Sequence, residues 1–169
     1  MFLSKKRLLL GGLLITTLSA SAQRTPKKYL EQFTPVAVNL SQETGVPASV
    51  ILGIAMLESG MGTSKNARLL KNHFGIVGKN NLAKRGLTYR SMYREYTTDT
   101  ASYRHFTKVI MKKKWFTTMK GNDDYDQWLN KLIRSGYSTA GQVWVSRVRS
   151  MIKKYKLYEL DDAMNLAKR

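Results

Sequence analysis

An almost uninterrupted run of apolar residues between Pro47 and Gly60 is the clearest pattern in the chain. Because apolar residues occupy nearly every position, the run predicts a helix buried on all sides rather than one lying on a surface. Glu58 directly follows the apolar residues, and Gly60 and Gly62 then end the helix. The pattern therefore predicts a core helix from Pro47 to Glu58 whose last turn holds a single carboxylate.

Other helices are predicted from amphipathic spacing and from capping residues. A first helix can begin at Thr25 or restart at Thr34, each followed by proline, and it ends at Gly45. Ser64 can cap a short helical turn through Leu70. The remaining predicted helices are one starting at Thr98 with Lys112–Lys114 near its end, one capped by Asn122 and ended by Gly136, and one from about Gln142 to Tyr155.

The periodicity changes between Gly75 and Thr98. Residues 79–90 are basic, and residues 89–97 are rich in Tyr and Thr, which favour strands. This segment predicts a small β-hairpin lobe inserted into a helical domain. The predicted fold class is therefore α+β and mainly α.

Composition limits the architecture and the partners. The chain has 169 residues, enough for one domain, and 29 Lys and Arg against 11 Asp and Glu give a formal charge of +18. That excess indicates a polyanionic partner. The chain has no cysteine, which excludes disulfides and thiolate metal sites, and two histidines make an all-histidine metal site implausible. No spacing suggests a metal or an organic cofactor.

Residues 1–22 have the order of a signal peptide. Basic residues 5–7 precede the apolar segment 8–18, and Ala20-Ser21-Ala22 provides a cleavage site before Gln23. An uncleaved membrane anchor is the alternative. The predicted organisation is a signal peptide over 1–22, a linker over 23–28, a domain over 29–161 and a polar tail over 162–169. Export makes nucleic acid an unfavourable partner and an anionic polymer of the cell envelope a better one.

Glu58 is the candidate catalytic acid. It lies near the negative end of the helix dipole and beside apolar packing, and both effects disfavour the charged carboxylate and raise its pKa. A raised pKa is what a general acid needs at neutral pH. The alternative is that Glu58 only marks the point where a buried helix reaches solvent.

Four motifs then carry a resemblance to a known family. They are L-E-S-G-M-G-T-S at Leu57–Ser64, N-H-F-G-I at Asn72–Ile76, Y-R-E-Y at Tyr93–Tyr96 and G-Y-S-T at Gly136–Thr139. Their order and spacing resemble the glucosaminidase domain of glycoside hydrolase family 73, over roughly Tyr29 to Asp161. The resemblance implies a lysozyme-like fold and cleavage of peptidoglycan after N-acetylglucosamine. It also implies that Glu58 is the catalytic acid and Tyr137 the active-site tyrosine.

The further candidates are predicted substrate-binding residues: Ser59, Gly60, Asn72, Phe74, Gly75, Tyr96 and Trp144. For Asn72, Phe74 and Gly75, a role in shaping the bend is an equal alternative, and the tyrosines could be core aromatics. His73 and His105 are predicted to be structural. Ala140-Gly141 replaces the Asp-Pro that usually follows the G-Y-S-T motif, which puts the geometry of that loop in doubt.

The second carboxylate is the open question of the chemistry. Glycoside hydrolysis usually needs two carboxylates, yet residues 78–92, where family members commonly place the second, contain no Asp or Glu. Glu95 is therefore a candidate catalytic residue, and Asp99 has an adequate role at a helix N-terminus. Alternatively, the substrate's own N-acetyl carbonyl attacks the anomeric carbon, with Tyr137 positioning it. Because the sequence offers one clear catalytic carboxylate, two other functions stay open. The protein could be a lytic transglycosylase or a non-catalytic wall-binding module.

Overall fold

The computed structural model of the chain describes residues 25–166, with side chains described for residues 25–163. The predicted signal peptide, most of the predicted linker and the end of the predicted tail lie outside these residues. Helices dominate the described part of the chain: α1 Pro26–Thr44, α2 Ala48–Ser59, α3 Lys65–Leu70, α4 Asp99–Met111, α5 Phe116–Met119, α6 Tyr125–Arg134, α7 Gly141–Lys154 and α8 Tyr158–Leu166.

Helix α2 lies at the centre of the domain, as its apolar sequence predicts. All of its residues from Ala48 to Met56 are buried, and α1, α4, α6, α7 and α8 pack around it. At Gly53, an added Cβ atom would lie 2.7 Å from Cγ1 of Ile152 on α7. Because glycine has no side chain, α7 can approach α2 closely, and this approach positions the residues of α7 beside the end of α2.

The helix caps confirm some predictions and correct others. Thr25 caps α1 by accepting from the N–H of Lys28, and Pro35 lies inside the helix, so the alternative start at Thr34 is not used. The sequence predicted Asn122 as the cap of α6, but this prediction is wrong. Asp124 caps the helix and accepts from two backbone N–H groups of its first turn. Asn122 instead accepts from the N–H of Asp124, and this local turn delays the start of the helix.

The predicted β-hairpin lobe is an irregular loop that folds back on itself. Its antiparallel pairing consists of one isolated bridge between Val77 and Tyr93. Two backbone hydrogen bonds flank the bridge, from Gly78 N to Met92 O at 3.0 Å and from Arg94 N to Ile76 O at 2.8 Å. The domain is therefore mainly α, with a small lobe that pairs like a hairpin but forms no extended strands within the described residues.

The end of the domain differs from the predicted boundary. Helix α8 begins at Tyr158 and continues to Leu166, through the predicted start of the polar tail. Asp161 is buried on this helix and its Oδ1 accepts from the backbone N–H of Ser49 at 3.2 Å. Across residues 25–166, no helix is long and apolar enough to cross a membrane.

Candidate active site

Glu58 lies in the last turn of α2, directly before a sharp bend. The next residues, Gly60, Met61 and Gly62, all have a positive φ, between 56° and 77°. Such backbone is accessible to glycine but uncommon for methionine. The hydroxyl of Ser59 accepts from the N–H of Gly62 at 2.8 Å and stabilises this bend. The bend ends α2 and leaves the side chain of Glu58 at the protein surface.

Trp144 on α7 orients the carboxyl group of Glu58. The indole N–H of Trp144 donates to Oε1 of Glu58 at 2.7 Å, and the tryptophan itself is buried. The other oxygen of Glu58 faces Gly75: a Cβ atom added there would lie 3.7 Å from Oε2 and 3.8 Å from Cε1 of Tyr93. Gly75 has a φ of 65°, so this position favours glycine both for its backbone and for its place beside the carboxyl group.

The surroundings of Glu58 raise its pKa. Partial burial of the carboxyl group disfavours the charged form and raises the pKa, and the hydrogen bond from Trp144 opposes this effect without reversing it. The direction predicted from the sequence is confirmed. A carboxyl group that retains its proton at higher pH, on an accessible surface, can donate that proton to a bound substrate.

Tyr137 is part of the same site. Its hydroxyl donates to the backbone carbonyl of Phe74 at 3.1 Å, and its ring centroid lies 5.2 Å from that of Trp144. Burial raises the pKa of Tyr137 well above its usual range, and the nearby charge of Glu58 raises it further. The structure therefore brings Tyr137 to the acid with its hydroxyl group neutral.

Glu95 is not brought to Glu58. Its carboxylate accepts from the N–H of Asn81 at 2.7 Å and forms an ion pair with Arg85 at 3.4 Å, both within the lobe. It lines a cavity of about 390 Å³ whose lining does not include Glu58. These contacts give Glu95 a structural role in the lobe, so the geometry does not support the predicted catalytic role.

Three predicted substrate-binding residues are buried and have structural partners. Ser59 holds the bend after α2, and the side-chain amide of Asn72 donates to two backbone carbonyls, at Ile76 and Arg94. Phe74 stacks on Phe106 with a centroid separation of 4.1 Å. For Asn72 and Phe74 the structure favours the alternative role of shaping the bend. These side chains support the site from beneath and do not offer a surface to a sugar.

The other predicted substrate-binding residues lie around Glu58 in different ways. Gly60 is exposed and ends α2. Tyr96 is half-buried, and its hydroxyl lies 2.7 Å from Nδ1 of His105. Burial raises the pKa of Tyr96 to about 12, so its hydroxyl is protonated at neutral pH. Trp144 lies beneath the surface and contacts the acid rather than standing in the open as a platform for a sugar ring.

The sequence analysis did not identify a buried polar network behind the site. His73 lies between Tyr29, at 2.9 Å from Nδ1, and Asp99, at 2.9 Å from Nε2. The hydroxyl of Tyr29 also contacts those of Tyr103 at 2.7 Å and Ser59 at 3.3 Å. The network confirms the structural role predicted for His73 and connects α1 and α4 to the residue next to Glu58.

Tyr93 was also missed, although it begins the Y-R-E-Y motif. Its ring lies close to Gly75 on the side that faces Glu58. The motif was the available signal, but regular strand alternation would place Tyr93 and Tyr96 on opposite faces.

Comparisons with known proteins identify the family and the fold. The sequence profile of the glucosaminidase family, described as mannosyl-glycoprotein endo-beta-N-acetylglucosaminidase, matches residues 34–157. No curated protein sequence matches the chain.

Solved structures show the same fold at low identity. The catalytic domain of the autolysin Auto from Listeria monocytogenes matches with a TM-score of 0.63 and 20% identity, over 83% of this chain and 92% of that one. The glycoside hydrolase domain of FlgJ from Salmonella typhimurium matches with a TM-score of 0.58 and 19% identity, over 84% and 95%. A peptidoglycan hydrolase from Sphingomonas sp. A1 matches with a TM-score of 0.61 and 19% identity, over 80% and 92%.

These similarities confirm the mainly helical, lysozyme-like fold class predicted from the sequence. The family profile covers most of the chain, including all four motifs that carried the resemblance. The chain belongs to the glucosaminidase family of glycoside hydrolases.

Proposed function

We propose that this glycoside hydrolase is an exported endo-β-N-acetylglucosaminidase that cleaves the glycan strands of peptidoglycan after N-acetylglucosamine. The observation that supports this most directly is the carboxyl group of Glu58, which has a raised pKa and is oriented by Trp144 at an accessible surface. The formal charge of +18 suits an anionic wall polymer. Two of the similar structures come from proteins named as an autolysin and a peptidoglycan hydrolase.

Glu58 is the general acid in this proposal. Oε1 accepts the indole N–H of Trp144, so Oε2, which faces Gly75, is the oxygen left to hold the transferable proton. When the bond between the anomeric carbon and the glycosidic oxygen breaks, the leaving oxygen takes this proton. The fixed orientation of the carboxyl group reduces the cost of reaching the reactive geometry.

The second half of the reaction uses the substrate itself. Since Glu95 is engaged by Arg85 and Asn81, the N-acetyl carbonyl oxygen attacks the anomeric carbon and forms a cyclic oxazolinium ion. Water then opens this ion while the carboxylate of Glu58 takes the proton from the water. Tyr137 positions the N-acetyl group. Its hydroxyl is neutral and is held in place by the hydrogen bond that it donates to the backbone carbonyl of Phe74. Two displacements at one carbon give net retention of configuration.

Replacement of Glu58 by Gln tests the proposed acid. The variant keeps the shape of the side chain but has no transferable proton, so release of dye from labelled cell-wall sacculi should fall by about 10² to 10⁴. Glu31→Gln, which changes an exposed carboxylate on α1, is the matched control and should keep full activity. Near-normal turnover in Glu58→Gln, with an unchanged circular dichroism spectrum, would show that Glu58 is not the acid.

The products distinguish this proposal from the nearest alternative. A lytic transglycosylase also suits a lone carboxylate, but it leaves an anhydro sugar, whereas the proposed hydrolase leaves a reducing N-acetylglucosamine end. Mass spectrometry of the digest separates the two. Nuclear magnetic resonance of the first product should show retention, with substantial activity in Glu95→Gln and little in Tyr137→Phe. An inverted first product together with an inactive, folded Glu95→Gln would establish Glu95 as the base.

Export is the part of the proposal that depends on residues 1–22. The mature protein should begin at Gln23 and occur outside the cytoplasm, in the periplasm or at the cell wall. N-terminal sequencing of the protein recovered from the envelope and from the cytoplasm measures this directly. An intact Met1 terminus in the cytoplasmic fraction would overturn it.

A further inference from the structure

A solvent-open cleft beside the lobe has a strongly basic lining. It has a volume of about 380 Å³ and lies between residues 94–97 of the lobe and helix α4. The lobe contributes Arg94 to its lining, and α4 contributes Arg104, His105 and Lys108. Arg94, Arg104 and Lys108 are exposed, so their charges face water around an indentation rather than pointing into the protein.

The acids near this cleft are already neutralised. Glu95 also lines it, but its carboxylate binds Arg85 and the N–H of Asn81 on the other side of the lobe. Glu43 forms an ion pair with Arg104 at 2.7 Å. In the described part of the chain, no carboxylate pairs with Arg94 or Lys108, so two positive charges stay uncompensated.

His105 lies among the cations of the cleft, and their charges act on its imidazole. Burial lowers the pKa of His105, and the charges of Arg94, Lys112 and Lys108 lower it further. The imidazole is therefore mostly neutral at neutral pH, and its Nδ1 lies 2.7 Å from the hydroxyl of Tyr96. An anion bound among these cations would offset the part of the effect that their charges cause.

The cleft adjoins the active site through Tyr96 and α4. The hydroxyl of Tyr96 lies 2.7 Å from Nδ1 of His105, and Phe106, the next residue on α4, packs against Tyr137 with a ring-centroid separation of 5.8 Å. A polymer bound along Glu58 therefore has this cleft beside it. Any anionic branch of the polymer would meet Arg94 and Lys108.

We propose that the cleft lined by Arg94, Arg104, His105 and Lys108 binds the carboxylate groups of the peptide stems of the wall polymer. This assignment rests on the proposed function, because it takes the stem as a branch of the strand that Glu58 cleaves. The sugar hydroxyls of the strand are neutral, whereas the stems bear carboxylates, which suit a guanidinium and an ammonium group. The cleft thus selects glycan that still has its peptides.

Binding can be measured without catalysis. The tetrapeptide L-Ala-D-Glu-L-Lys-D-Ala, titrated into the exported protein, should shift the ring resonances of His105 and raise its pKa. The same peptide with amidated carboxyl groups should do neither. Equal shifts from the two peptides, or none from either, would overturn the proposal. This readout does not require wall-degrading activity, so it distinguishes failure of the cleft from failure of the proposed function.

Kinetics on two substrates test the role of the cleft in the reaction. Arg94→Gln/Lys108→Gln should raise KM about fivefold on stem-bearing strands, since exposed ion pairs are individually weak, and leave kcat unchanged. It should have no effect on strands stripped of peptides by an amidase and then amidated at the lactyl carboxyl groups that the amidase frees. Arg134→Gln/Lys153→Gln removes the same charge at the ends of α6 and α7 and is the matched control.

Two outcomes would contradict the assignment. An equal rise in KM for both substrates, or for both double variants, would mean that the cations act only through total charge. Tighter binding of poly(glycerol phosphate) than of the tetrapeptide at His105 would assign the cleft to a phosphate polymer instead. Unchanged circular dichroism and melting temperature in both variants exclude unfolding as the cause.

Discussion

Helix α2 has a carboxyl group with a raised pKa at each of its two ends. Glu58 lies in its last turn, and Asp161 reaches its first turn from α8, where Oδ1 accepts from the N–H of Ser49. Burial raises both pKa values, that of Asp161 to about 6. The two ends differ in the helix dipole, which favours a carboxylate at the N-terminus and disfavours one at the C-terminus.

The difference between these ends shows that a raised pKa does not by itself identify a catalytic acid. Asp161 is only 4% exposed, and its oxygen binds the backbone of α2. Glu58 reaches the surface, and its orienting partner is a side chain, the indole of Trp144, which leaves Oε2 beside Gly75. One carboxyl group stabilises the start of the helix, and the other can meet a substrate.

The largest expected effect comes from exchanging each carboxyl group for its amide. Glu58→Gln should lower activity by at least about 10²-fold and change stability little. Asp161→Asn should stay within about twofold of normal activity, because a distant helix cap takes no part in proton transfer. Dye release and thermal denaturation of the two variants measure this. Loss of activity in a folded Asp161→Asn would show that the two ends of α2 are coupled.

The next effect is the pH dependence of stability caused by Asp161. Its pKa is higher in the folded protein, about 6, than its ordinary value of 3.8, so the folded state binds the proton more tightly. The protonated carboxyl group of Asp161 therefore adds to the free energy of unfolding. This contribution is complete below pH 3.8 and is lost as the pH rises through about 6. The loss is on the order of 2–3 kcal/mol.

Denaturant unfolding between pH 4 and pH 8 checks this prediction. Asp161→Asn keeps an oxygen for the N–H of Ser49 but cannot ionise. The Asp161→Asn variant should not show the decrease in the free energy of unfolding between pH 4 and pH 7. Glu31→Gln, which changes an exposed carboxylate on α1, is the control and should keep that decrease. An identical pH profile in wild type and Asp161→Asn would contradict the assignment.

The helices and the acid could be predicted because their signals are local. An apolar run followed by Glu58 and two glycines determines burial, helix end and direction of the pKa shift within one short segment. The start of α1 at Thr25 and its end at Gly45 follow from capping residues in the same way. Such features depend on neighbours a few residues away, which a single sequence displays.

The contacts that the sequence does not show join residues that are distant in sequence. Trp144 is 86 residues from Glu58, and no local pattern shows that its indole reaches the carboxyl group. Glu95 was considered for catalysis because a regular strand could turn it toward the cleft, but the lobe has a single bridge in its described backbone and Arg85 binds the carboxylate. The contact between Asp161 and Ser49 spans 112 residues, so the predicted end of the domain at Asp161 does not take it into account.

The smallest expected effect tests the contact between Trp144 and Glu58. Its hydrogen bond stabilises the carboxylate and so lowers the pKa of Glu58. Trp144→Phe should therefore raise that pKa and move the basic limb of the kcat–pH profile to higher pH, while loss of orientation lowers kcat about tenfold. Trp115→Phe is the matched control, because the indole N–H of Trp115 has no hydrogen-bond partner within the described residues. Its profile should coincide with that of the wild type. A basic limb that moves to lower pH in Trp144→Phe would mean that the indole serves only as packing and that another group sets the protonation of Glu58.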